Sequence, residues 1–314
     1  MRAAAVVINH NGGEDVPRCL AALGSQTVGV EVVLVDCAST DGTRGLAERP
    51  PGGVIGMPLG ENRGYAGGAN AGLGALAAGV EAVGLFNPDC FPEPRFYEAA
   101  LARLEGDGVI GGVAGRLVRP GGAVLDSCGQ VLTPWVLRVR DRGYGCPADG
   151  AFGEPAVVLA ACGAGMVYRR AALEGVAVAG RVFPDEFFAF WEDLDLGWRV
   201  SAAGWRVVYE PSAVAAHRRG GTAAPGAGRL VFRRPPAVAA GILVNRWATW
   251  LRNLAAVDFW LRLPVLLPAD AMLVLLVALR RPTVLPALAR AMPRLLLAWR
   301  QRPVVRRRRL RELP

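Results

Sequence analysis

The chain has 314 residues, 52% of them apolar, enough for one large domain or two modest ones with a full core, which excludes a disordered or fibrous polymer. All 36 basic residues are arginine, so no lysine is present to form a Schiff base or clamp a phosphate. The net charge of +9 is split: residues 1–217 hold 17 Arg against 24 acidic residues, and residues 218–314 hold 19 Arg against 3, which points to an acidic partner for the C-terminal end.

In chain order, AAAVVIN (3–9) and VEVVLVDC (30–37) are β-branched apolar runs ending in polar residues, with the helically spaced PRCLAALGSQ between them. A strand–helix–strand unit of this kind favours a parallel sheet with ligand groups at the strand C-terminal ends. Asp36 closes the second strand and CASTDGT turns directly after it; a carboxylate there can accept from a base imide or a ribose hydroxyl, while Asp41-Gly42 also reads as a plain turn. GENRGYAGGANAG (60–72) opens a Gly/Ala-rich helix over 64–79. Backbone N–H groups at Gly67 and Gly68 could cradle an anion beside Arg63, and tight packing on the sheet is the alternative.

VGLFNPD (83–89) is a third strand ending in Asn87-Pro88-Asp89, where proline stiffens the chain and both flanking side chains can present oxygens. One carboxylate with diphosphate oxygens is an ordinary way to hold Mg²⁺ or Mn²⁺, and a strand-ending turn is the plainer reading. Residues 92–108 read as a helix, 109–160 as strands with a loose insertion, and 161–173 as strand then helix.

The segment Phe183–His217 sets Asp185, Glu186, Glu192, Asp193 and Asp195 among six aromatic side chains between Phe183 and Trp198. Ionised carboxylates are costly in apolar surroundings unless compensated, so such a cluster points to chemistry, against the alternative of acids gathered at a helix start. YEPSAVAAH then reads as a strand ending in His217, and Trp191 can stack on a sugar or pack in a core.

After Arg218 the character changes. GGTAAPGAG is linker-like, and 240–254 is helical. The apolar run 263–279 holds Pro264, Pro268 and Asp270 and is short for a clean span. With Trp247, Trp250, Trp260 and Trp299 among arginines, the reading is a helical hairpin lying in an anionic membrane interface, the alternative being a soluble helical subdomain with a solvated basic tail. No nucleic-acid-binding signature is present, so nucleic acid is not expected as a partner. Six scattered cysteines without a CxxC pair, and no secretory signal, are expected to be reduced thiols in a cytosolic body.

Taken together, VVINHN, VDCASTDGT, ENRGYAGGANAG, LFNPD, GAGMVYRR and FFAFWEDLDLGWR…VVYEPSAVAAHRRGGT resemble family 2 glycosyltransferases of the inverting GT-A type, in their bacterial rhamnosyltransferase-like branch. The resemblance covers Ala3 to about Thr222. It implies an α/β fold with a Rossmann-like, mostly parallel central sheet flanked by helices over 1–222, and a helical, membrane-associated extension over 223–314. It also implies a nucleoside-diphosphate sugar donor, a glycan or lipid-linked acceptor, and a position on the cytoplasmic face of the cell membrane.

In such a protein Asp36 contacts the nucleobase, the Gly-rich stretch with Asn62 and Arg63 lies near the diphosphate, Asp89 belongs to the metal motif, Asp193 is the general base and His217 joins the metal. The donor-site candidates are therefore Asn9, Asp36, Asp41, Asn62, Arg63, Gly67, Gly68, Asn87 and Asp89. Glu192 stands beside the base and Trp191 is the acceptor candidate; Asp89 and His217 would hold Mg²⁺ or Mn²⁺.

Two departures stand out. Asn87 replaces the first acid of the metal motif, removing one anionic ligand, and His10 stands where the family often has an aromatic. A catalytically silent, membrane-tethered sugar-binding relative is the alternative of another class, and Asp89, Asp193 and His217 together argue against it. A nucleotidyltransferase would want a phosphate-gripping lysine and a Gly-rich loop at the first strand end; the chain has neither.

Overall fold

The computed structural model describes residues 1–219, 231–302 and 305–314. The Gly- and Ala-rich stretch read as a linker, and with it the boundary at 222/223, lies outside the described residues.

The first half of the chain alternates strand and helix: β1 (Ala3–Asn9), α1 (Asp15–Gly24), β2 (Val30–Asp36), α2 (Arg44–Glu48), β3 (Val54–Pro58), α3 (Gly64–Ala75) and β4 (Ala82–Phe86). After β5 (Cys90–Pro92) and α4 (Phe96–Gly106) come β6 (Ile110–Val118), β7 (Leu125–Ser127), β8 (Gln130–Leu132), β9 (Val139–Asp141), β10 (Ala156–Val158), β11 (Gly165–Arg169) and α5 (Arg170–Gly175). A 3-10 turn at Asp185–Phe187 leads into α6 (Glu192–Ala203) and the long β12 (Arg206–His217). The extension is α7 (Pro236–Asn253), α8 (Ala256–Arg280), α9 (Val284–Ala291) and α10 (Pro293–Gln301).

The main sheet runs β10-β12-β6-β11-β4-β1-β2-β3. Strands β1 to β4 are mutually parallel, as their continuous apolar runs and helical crossovers require. The other half is mixed, because β11 inserts antiparallel between β4 and β6 while β12 runs parallel to β6. The sheet is therefore less uniformly parallel than the sequence pattern implies. The loose insertion resolves into short strands, with β8 and β9 pairing as a separate hairpin.

Register places Asn9 beside Asp36 at the C-terminal ends of β1 and β2. The β4 end, Asn87-Pro88-Asp89, opens on the same edge. Apolar side chains fill both faces of the sheet. One of these clusters joins Phe187, Trp191, Leu194 and Trp198 to Ala248, Trp250 and Leu254 of the extension. A large apolar side chain contributes roughly 1.5–3 kcal/mol when fully buried, against a total stability of about 5–15 kcal/mol. Helix α7 is thus packed as part of the catalytic body.

Helix α8 begins at Ala256, seven residues before the apolar run, and passes through Pro264 and Pro268. The missing proline N–H groups leave the carbonyls of Trp260 and Pro264 without helical donors, and both residues lie on the exposed face, where those oxygens reach solvent. Its two acids point inward: Asp270 accepts from Trp247 Nε1 at 2.7 Å and pairs with Arg246, and Asp258 pairs with Arg262 and Arg309.

Candidate active site

At the β1 and β2 ends a buried polar knot fixes the loops. Asn9 Nδ2 donates to Asp36 Oδ2 at 2.8 Å, to Thr43 Oγ1 at 2.9 Å and to Ser39 Oγ at 3.2 Å, while its Oδ1 accepts the Gly12 N–H at 3.0 Å. Asp36 Oδ1 accepts the Ser39 N–H at 2.9 Å. Both Asn9 and Asp36 are 0% exposed, where the expectation had their side chains open to the donor; their hydrogen bonds set the shape of the loop. Asp41 is exposed but similarly occupied, accepting from the Gly13 N–H at 2.8 Å and from Thr43. The open groups on this rim are His10, Asn11 and Thr40.

Gly67 and Gly68 also differ from expectation. They lie inside α3 rather than at its mouth. A side chain at Gly68 would meet Ile8 Cγ2 at 2.7 Å and Cys37 Sγ at 2.8 Å, so the residue is small to seat the helix on the sheet. The Gly67 N–H is spent on the Arg63 carbonyl. The exposed groups at the helix start are Asn62, whose Oδ1 accepts the Gly64 N–H at 2.8 Å, and Arg63.

Beyond the β4 end, half-buried Asp89 comes together with His217. The Nε2 of His217 lies 3.5 Å from Asp89 Oδ1, and Nδ1 is held by Asp126 Oδ2 at 2.7 Å. Asp126, wholly buried on β7, also receives Arg219, which reaches on to Asp141 at 2.7 Å. Burial pulls the His217 pKa down, but hydrogen bonds and charge from Asp126 and Asp89 outweigh it and raise it to about 9.

The second cluster stands at the start of α6. Asp193 Oδ2 accepts from Gln130 Nε2 at 2.8 Å and from the Gly163 N–H at 2.9 Å; Oδ1 accepts the Leu194 N–H at 2.8 Å. The Gly163 carbonyl in turn accepts from the Tyr65 hydroxyl at 2.8 Å, which ties this loop to α3. Burial pushes the Asp193 carboxyl above its ordinary range, with these donors opposing the shift. Glu192 is pushed up further, by burial first and then by the charge of Asp193, and its buried Oε2 has no hydrogen-bond partner.

Trp191 is 7% exposed, with its ring inside the apolar core, so packing displaces the sugar-stacking expectation. Asp195 is wholly buried between Arg199 and Arg252, each 2.9 Å away, and serves structure.

Asp126, Gln130 and Gly163 are not singled out in the sequence. The one signal for Asp126 and Gln130 is polar residues within the strand-like run LDSCGQVL, with nothing local to distinguish them from exposed strand residues; Gly163 opens the motif GAGMVYRR, where the sequence assigns it no role. The six cysteines are free thiols.

Residues 4–176 match the family model described as glycosyl transferase family 2. The chain is a family 2 glycosyltransferase. This glycosyltransferase is 29% identical over 242 residues to an N-acetylglucosaminyl-diphospho-decaprenol L-rhamnosyltransferase of Mycobacterium tuberculosis, covering 68% of the chain and 75% of the relative. Its fold is similar to that of the mannosyltransferase PcManGT of Pyrobaculum calidifontis, solved with GDP-Man and Mn²⁺, at TM-score 0.54 and 23% identity, covering 95% of the chain and 75% of the other. It is also similar to GalNAc-T7, solved with UDP, GalNAc and Mn²⁺, at TM-score 0.60 and 13% identity, covering 82% and 48%. The GT-A architecture, a mixed central sheet flanked by helices, is therefore that of this glycosyltransferase.

Proposed function

We propose that this glycosyltransferase moves a sugar, with inversion, from a nucleoside-diphosphate donor to a hydroxyl of a lipid-linked glycan, and that Asp193 is the general base. The rhamnosyltransferase relative supports rhamnose as the sugar and a polyprenyl-diphosphate-linked acceptor.

The observation that carries this reading is the setting of Asp193. Its carboxylate is half-buried at a helix start, with Oδ2 fixed by two donors from separate elements and its pKa raised toward the working range of a base. Burial, and then the charge of Asp193, push the Glu192 carboxyl upward, which disfavours a second charge beside the base. Asp193 takes the acceptor proton as the oxygen attacks the anomeric carbon from the face opposite the diphosphate. Such a base contributes about 10²–10⁴-fold.

The residues at the β4 end fit a divalent cation. Two ligand atoms of suitable type, Asp89 Oδ1 and His217 Nε2, lie 3.5 Å apart, and the imidazole would give up its Nε2 proton when a cation binds. Asp126 holds the far nitrogen of the ring, as carboxylates do behind metal-bound histidines. Among the described residues no third His, Cys, Asp or Glu completes a protein-only cluster, so the remaining positions fall to diphosphate oxygens and water, as is usual for Mg²⁺ and Mn²⁺. The cation would supply charge neutralisation to the departing diphosphate. Asn62 and Arg63, exposed at the start of α3, face the donor from the other side of the cleft in this reading.

Helix α8 supports a membrane surface as the working place. It is long and apolar enough to cross a membrane, yet Asp258 and Asp270 bind it to the protein on one face while Trp260, Leu267 and Leu279 stand 67%, 64% and 72% exposed on the other. A helix so divided lies along the interface, with arginines of α9, α10 and the C-terminal end available to anionic lipid.

The test is transfer from a panel of labelled nucleoside-diphosphate sugars, with Mn²⁺, to a polyprenyl-diphosphate-linked sugar, with the anomeric configuration of the product read by NMR. Retention of configuration would reject the single-displacement reading.

A further inference from the structure

The segment that delivers Asp193 is strained. Phe188, Phe190 and Trp191 all have left-handed backbones, at φ 56°, 71° and 77°, without being glycine. Bulky residues hold such conformations only where the surroundings impose them.

Each carbonyl from Phe187 to Phe190 is gripped. Asn245, fully buried on α7, directs its Nδ2 to the oxygens of Phe187, Ala189 and Phe190 at 2.7, 3.1 and 2.9 Å. The Phe188 carbonyl is held from the opposite side by the Ala66 N–H at 3.2 Å, and Gly64 beneath it is a glycine because a side chain there would sit 2.2 Å from that oxygen. The Asn245 amide oxygen has no partner, so the three carbonyls alone set the orientation of the amide.

We infer that Asn245 is a positioning residue for transfer: it fixes the 187–191 segment so that α6 presents Asp193 to the acceptor, which makes the C-terminal extension part of the catalytic apparatus. This rests on Asp193 being the base. Among the described residues, Asn245 supplies these carbonyls with their hydrogen bonds from the α7 side, and a displacement of about 1 Å at a reacting group costs on the order of 10²-fold in rate.

The experiment compares Asn245→Ala with Thr249→Val in the full-length enzyme. Thr249 lies one turn along the same buried helix, so its substitution controls for disturbance of the interior. Asn245→Ala is expected to lower kcat about 10²-fold with donor KM near wild type. It should also move the acid limb of the pH–rate profile to lower pH as the loosened loop admits water to Asp193. Thr249→Val should do neither.

If the alanine variant does not accumulate as folded protein, Asn245→Ser keeps one side-chain donor in place of the amide's two N–H groups and should give an intermediate kcat. A kcat and pH limb at wild-type values in folded Asn245→Ala or Asn245→Ser would overturn the inference, as would a loss of equal size in Thr249→Val. The underlying reading fails separately: full transfer by Asp193→Asn removes the base assignment whatever Asn245 does.

Discussion

The side-chain amide of Gln130 donates to Oδ2 of Asp193 at 2.8 Å, across 63 residues of sequence. Four residues before it, Asp126 holds His217. One short segment of the insertion therefore braces both the proposed base and the proposed cation site, and most of the tests that follow act on it or on what it touches.

Replacing Asp193 by Asn removes the proton acceptor while keeping its shape. Donor affinity should stay near wild type, and transfer should fall by about 10²–10⁴-fold. Calorimetric donor titration alongside a transfer assay separates the two effects.

Gln130→Leu tests the tuning of that base. The amide favours the charged carboxylate, so its loss should lift the Asp193 pKa further and carry the acid limb of kcat/KM to higher pH. A hydrogen bond to a charged group contributes about 1.5–3 kcal/mol, which corresponds to roughly one to two pH units. A limb that moves to lower pH, or stays where it is, contradicts the role given to Gln130.

Asp126→Asn should weaken cation binding without touching a ligand. Second partners of metal-bound histidines typically cost about 10–100-fold in metal affinity when lost. The Mn²⁺ concentration for half-maximal transfer is expected to rise by that factor, and excess EDTA should abolish wild-type transfer.

Stability rests on the buried Asp195–Arg252–Arg199 group. Removing one member of a buried ion pair costs about 3–5 kcal/mol, so Arg252→Met should lower the thermal midpoint clearly. Charge from Arg252 and Arg199 outweighs burial and holds the Asp195 carboxyl below its ordinary range. Its contribution is present above the unfolded carboxyl pKa of about 4 and is lost as pH falls through the lower folded value. Acid unfolding of the wild type should accordingly steepen below about pH 4, and Arg252→Met should blunt that slope.

Membrane binding is best tested on the outer face of α8. Truncation near residue 235 would also strip α7 from the core and so confound the result. Trp260→Glu with Leu267→Glu leaves Asp258 and Asp270 in place and should release the protein from anionic vesicles in a flotation assay while soluble-acceptor transfer continues.

The strand–helix alternation and the start of α6 are legible in the sequence because each is written in local chemistry, apolar periodicity and acids gathered at a helix N-terminus; the meeting of Asp89 with His217 is implied by the family resemblance alone. What is not legible depends on register and depth. Asn9 and Asp36 look like open strand-end ligands until pairing shows that they face each other under the loop. Gly68 looks like part of an anion nest until Ile8 and Cys37 are found against it. Asp126, Gln130 and Asn245 act across 63 to 91 residues or from a helix assigned to lipid, and no local pattern encodes such reach.

The enclosed Asn9–Asp36 knot has a consequence for altering which donor is accepted. Substituting either residue would leave a buried polar partner unmatched and collapse the loop before it changed what the loop recognises. Selectivity for another nucleotide would have to be written on the solvent-facing crest above the knot, at Thr40 first, because His10 is tied to the Cys37 carbonyl and Asn11, at φ 56°, accepts the Thr40 N–H.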